Sequence, residues 1–146
     1  MKTHPINFVL TSALIVGSLD LLLAFANAWW SSEMTPANVV RYVASGLMGE
    51  QAFSKADPIV IPIGLCIHYF IAFFWTTIFL FVYGSLKKII HLKFIIGILY
   101  GVFVWVVMNL IVLPLTSVPP FELKWMSAIK GASILVLAIG LPLAYL

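Results

Sequence analysis

The sequence predicts an all-α, polytopic membrane protein: four transmembrane helices in a bundle, with a short amphipathic outer helix beside them. Two observations carry that reading. Of the 146 residues, 63% are hydrophobic and only 9% charged, with a mean hydropathy of +1.13. A water-soluble domain of this size needs far more polar surface than that to cover its core. The apolar residues also fall into four runs, 8–28, 59–84, 94–115 and 125–146, each reaching the roughly 20 residues that cross a bilayer as a helix. A single membrane domain over 1–146 follows, with the lipid bilayer as its first partner.

The first run follows Lys2 and ends in Ala26-Asn27-Ala28, which resembles a secretory signal and its cleavage site. Its apolar stretch is longer than a signal core and contains Asp20, so a retained first helix is expected, with Trp29 and Trp30 at an interface. Residues 36–53 read as the outer helix. Thr35 supplies an N-cap and Pro36 a first-turn proline. Val39, Val40, Val43, Leu47 and Met48 then recur at helical spacing, opposite Asn38, Arg41, Ser45 and Gly49. Such a helix lies on the outer membrane surface or folds over the mouth of the bundle.

The second run holds the only cysteine, Cys66, which excludes an intrachain disulfide and a CxxC redox pair. It is expected to be a small buried apolar residue. The third run contains a GxxxG at Gly97 and Gly101, and Pro114 stands near its end. Residues 116–124 include Pro119-Pro120 and predict a rigid turn, after which Phe121 and Trp125 suit an interface at the head of the fourth run.

Lys87, Lys88 and Lys93 cluster with His91 between runs two and three, whereas the loop between runs one and two sets Glu33, Glu50 and Asp57 against Arg41 and Lys55. The positive-inside bias therefore places the N- and C-termini and the lysine loop in the cytoplasm. The loop reads as a topology signal, with attraction to anionic head groups as the alternative.

Asp20 is the residue that demands an explanation. A carboxylate at the centre of a membrane helix costs roughly 2.5–3.5 kcal/mol on insertion scales and so needs a partner, a water-filled cavity or a proton. It shares a stripe with Ala13, Gly17, Ala24 and Ala28, so it should face protein rather than lipid. His68 stands on a similar stripe between Gly64 and Ala72, Asn109 continues the Gly97–Gly101–Trp105 line, and Lys130 lies beside Ser127 and Gly131. Counted from the predicted cytoplasmic ends, Asp20 lies about 20 Å deep, Asn109 about 22 Å, and His68 and Lys130 about 24 Å. These four form an expected intramembrane polar site in the outer half of a roughly 30 Å core. Gly17, Gly64, Gly97 and Gly101 are the expected helix-packing positions.

Three chemistries suit that layer. Asp20 and His68 could exchange a proton. Asp20 and Lys130 could pair, or Lys130 could snorkel outward. Asp20, Asn109 and carbonyls freed near Pro114 could hold a cation or polar solute. A purely architectural role, with Asp20 hydrogen-bonded to His68 or Asn109, stands beside them. No cofactor or metal is expected: His68 is the only histidine at depth, so bis-histidine haem would need a symmetric dimer, and Cys66 and His68 are two residues apart and do not share a face. No P-loop, GxSxG, HExxH or dinucleotide turn occurs, and no basic aromatic surface for nucleic acid. No enzyme is expected, and no catalytic residues.

Residues 16–20 (VGSLD), 41–53 (RYVASGLMGEQAF), 64–73 (GLCIHYFIAF) and 100–115 (YGVFVWVVMNLIVLPL) together resemble the YagU-like family of small bacterial inner-membrane proteins. The resemblance implies four spans and a bacterial inner membrane, and supplies no activity. Two functions are expected. One is binding or translocation of a proton, ion or small polar solute at Asp20, His68 and Asn109, in a homo-oligomer because four helices enclose little room. The other is a non-catalytic accessory or assembly subunit of a larger membrane complex.

Overall fold

A computed structural model describes residues 5–32, 34–54, 58–119 and 124–146. Lys2, His4, Glu33, Lys55, Asp57, Pro120, Phe121 and Glu122, which entered the topology and interface expectations, lie outside them. Among the described residues every regular element is helical. Four helices are long and apolar enough to cross a membrane: Ile6–Ser31, Val60–Ile89, Lys93–Leu115 and Trp125–Tyr145.

Helix α1 (Pro5–Ser32) runs without a break. Helix α2 (Pro36–Met48) starts as its residues dictate: Thr35 has extended backbone, its hydroxyl accepts the Asn38 N–H at 3.4 Å, and Pro36 sits in the first turn, where a missing N–H costs nothing. The helix ends at Gly49, whose φ of +58° lies in the left-handed region. A 3₁₀ turn over Gly49–Phe53 follows. The single helix expected over 36–53 is therefore two elements, broken where glycine permits a backbone that other residues resist. The Arg41 guanidinium straps the two together by donating to the carbonyls of Ala52 at 3.0 Å and Ser54 at 2.7 Å.

Helix α3 (Val60–Ile89) continues past Gly84, where the apolar run stops. Lys87 and Lys88 occupy its last turn, where cations favour the negative end of the helix dipole. Helix α4 (Lys93–Val107) passes into a π-helical turn, Met108–Val112, and a 3₁₀ turn, Leu113–Leu115, that contains Pro114. Helix α5 (Trp125–Leu135) likewise runs through a π-helical turn, Val136–Gly140, into α6 (Leu141–Tyr145).

The chain direction alternates, so the lysine loop and the C-terminus share one end. There the Lys93 ammonium sits 5.8 Å from the centre of the Tyr145 ring. At the other end the Ser117 N–H donates to the Gly46 carbonyl at 3.1 Å, which ties α2 to the segment after Leu115.

Close packing is concentrated where glycines meet. A Cβ on Gly101 would lie 2.5 Å from the Val136 Cα, and one on Gly140 would overlap the Gly97 carbonyl. Gly17 lets α1 approach α3, since its Cβ would stand 2.9 Å from that of Ala72. Gly64 faces the Val40 backbone, so it packs α3 against α2. The buried face of α2 is Val40, Ala44 and Ser45, and Leu47 is 72% exposed. Ser45, expected on the polar side, is buried with its hydroxyl donating to the Tyr42 carbonyl at 2.7 Å. Small side chains win this face because they allow close approach to α3. Cys66 is exposed on the outer side of α3, which corrects the expectation of a buried thiol.

Candidate functional site

The close approach of α1 and α3 at Gly17 positions the first polar groups. It brings His68 Nε2 within 2.8 Å of the Gly17 carbonyl, and Ser18 Oγ within 2.9 Å of Tyr69 Oη. A carbonyl can only accept, so Nε2 carries a proton and donates it to Gly17. Asp20 follows Gly17 by three residues, hence on the same face. Its carboxylate makes no hydrogen bond among the described residues and lines the same cavity as His68. The expected hydrogen bond from Asp20 to His68 or Asn109 is not formed, because the imidazole is held by the Gly17 backbone and Asn109 by its own helix.

Asn109 lies in the π-helical turn, and its Nδ2 donates to the Trp105 carbonyl at 3.0 Å. That is the carbonyl which a regular α-turn would offer to the Asn109 main-chain N–H. Single π-helical turns within α-helices are frequent at functional sites.

These groups meet at a cavity of about 340 Å³, lined by Asp20, His68 and Asn109 together, at the small end of the range for ligand sites. All four long helices and α2 contribute. Tyr42, Val43, Gly46 and Leu47 come from α2, Trp75 from α3, Met108 from the π-helical turn, and Thr116 and Val118 from the segment beyond it. Burial pushes the Tyr42 phenol above the usual tyrosine range, which keeps its hydroxyl neutral at this wall. The floor consists of Trp75, Val104 and Ile139, which belong equally to the buried core below. Tyr100 holds that floor by donating to the Trp75 carbonyl at 2.6 Å. The core continues through Phe79, Ile96 and Leu143 towards the lysine-loop end. The cavity thus belongs to the α2 end alone.

Lys130 does not join the other three. It is exposed, does not line the cavity, and its ammonium stands 3.4 Å from Ser31 Oγ near the end of α1. Equal depth along a helix does not fix rotation about it, and Lys130 is rotated away. The walls from α2, and Trp75 below, were not anticipated as part of the site. The Val39–Val43–Leu47 stripe was the available signal for the first.

Fold and site together define an all-helical protein with four membrane-length helices around a cavity at one end. No protein-family model, no curated protein and no solved structure matches this chain.

Proposed function

We propose that this chain is an integral membrane protein that binds a small solute in the α2-side cavity and exchanges a proton there at Asp20. The unpartnered Asp20 carboxylate facing a ligand-sized cavity carries this reading. An intramembrane carboxylate is retained at a cost, and a role in binding or proton relay is the usual reason. In this reading the lysine loop and both termini lie on the cytoplasmic side of a bacterial inner membrane, and the cavity faces outward. The packing supports one order of events. Solute and proton enter past α2, and passage to the cytoplasm would require the core below Trp75 to open.

Infrared difference spectroscopy of the protein in lipid nanodiscs tests the proton exchange. A step in bulk pH should change a carboxyl band that is missing from Asp20→Asn, while the variant keeps its melting temperature. A band indifferent to bulk pH, or one retained by the variant, sinks the proposal.

A further inference from the structure

We infer that the solute class is an organic ammonium ion: a primary or secondary amine, protonated, carrying a compact apolar body. The inference rests on the proposed binding role of the cavity and adds to it the chemistry of the ligand. Its basis is the balance of donors and acceptors at the site. Asp20 offers two unpartnered carboxylate oxygens. His68 has committed its Nε2–H to the Gly17 carbonyl, and Asn109 has committed one amide N–H to Trp105 and keeps its Oδ1 and a second N–H. The Thr116 hydroxyl donates to the Leu113 carbonyl at 2.8 Å. With Asp20 ionised the cavity presents one negative charge, and the carboxylate oxygens with Asn109 Oδ1 offer more acceptor sites than the remaining Asn109 N–H and the Tyr42 hydroxyl can fill, which an N⁺–H group satisfies and an anion does not.

Other classes fit less well. A bare inorganic cation needs several oxygen ligands, and among the described residues no group of three or more His, Cys, Asp or Glu could hold one. A strongly polar solute such as a sugar would leave its hydroxyls against Ile71, Met108, Val112, Leu135 and Ile139 without partners. A neutral apolar solute would leave Asp20 unpaired. An ammonium with an apolar body matches both surfaces, and the Trp75 and Tyr42 side chains add aromatic walls to a cationic site.

The exchange balances simply. Where Asp20 holds a proton, its carboxyl gives that proton to water outside the α2 end and the ammonium takes its place beside the carboxylate; no covalent bond to the ligand forms or breaks. The titratable groups facing the cavity are Asp20 from α1, Tyr42 from α2 and His68 from α3, while α4, α5 and the π-helical turns contribute none. Proton and ammonium compete for the same oxygens, so affinity falls as pH is lowered through the Asp20 titration.

Calorimetry on the full chain in nanodiscs, with three matched probes, tests this: 2-(1-naphthyl)ethylamine, the corresponding alcohol and the corresponding carboxylic acid. The amine should bind about tenfold or more tightly than either, the size of one charge-assisted hydrogen bond. Repeating the titration in buffers of different ionisation enthalpy should show a proton released on binding. Asp20→Asn should erase both the preference and the proton release, and Asp20→Glu should restore the preference in part. Equal binding of amine and alcohol, a preference for the acid, or no binding by any probe overturns the ammonium assignment. The infrared result on the Asp20 carboxyl stands apart from these outcomes, so failure of the ligand class and failure of the proton-exchange site are separately visible.

Discussion

At the lysine-loop end, α4 and the fourth long helix come together until Gly140 rests on the Gly97 carbonyl. At the α2 end the same α4 stands away from α1 and α3 by a cavity of about 340 Å³. The same four long apolar helices run through both ends, so their overall hydropathy does not distinguish the two. Side-chain size and helix geometry do. Three glycines and the Val136–Gly140 turn allow backbone contact at one end. At the other, a second π-helical turn redirects Asn109, and Asp20 and His68 project between the helices. If these helices lie in a bilayer, as proposed, their association depends on packing rather than on escape from water. The glycine end therefore carries the stability and leaves the α2 end free to hold an uncompensated carboxylate.

That contrast can be broken most severely at Gly140. Gly140→Ala should cost about 3 kcal/mol, read by thermal or denaturant unfolding in detergent, since the neighbour it meets is backbone and cannot yield. Gly64→Ala should cost about 2 kcal/mol by forcing α2 off α3, with faster hydrogen exchange over 36–54 as its signature. Asp20→Asn sharpens the comparison from the other side. It should lose about tenfold in amine affinity, with unfolding free energy changed by no more than about 1 kcal/mol. Thr35→Ala removes the N-cap of α2 and should cost about 1 kcal/mol, confined to exchange in that helix. Lys130→Ala should change stability by no more than about 0.5 kcal/mol and amine affinity not at all. A marked loss of binding in that variant would return Lys130 to the site.

Much of the architecture was legible because hydropathy and length report directly on membrane-length helices. Thr35-Pro36 marked the start of α2 to the residue for an equally local reason. Asp20, His68 and Asn109 could be grouped because small-residue stripes indicate which helix face turns inward. Lys130 was misgrouped because depth was used without rotation. The partners of the glycines were not legible, since a stripe shows that something approaches but not what. Gly64 meets α2, and Gly97 meets Gly140. The two π-helical turns were not read from the sequence: Met108–Val112 and Val136–Gly140 lie within continuous apolar runs whose hydropathy does not distinguish a π-turn from an α-turn. Ser45 was placed on the wrong face of α2 because polarity was allowed to outweigh size.

The outward-facing thiol of Cys66 has a practical consequence. It is the chain's single cysteine and lies two residues before His68, on the side of α3 turned away from the cavity. A nitroxide or fluorophore attached there would ride on the helix that carries the imidazole without filling the cavity. The native sequence thus already holds a spectroscopic ruler for α3, and a second label placed on α2 would show whether α2 lifts when an amine is added.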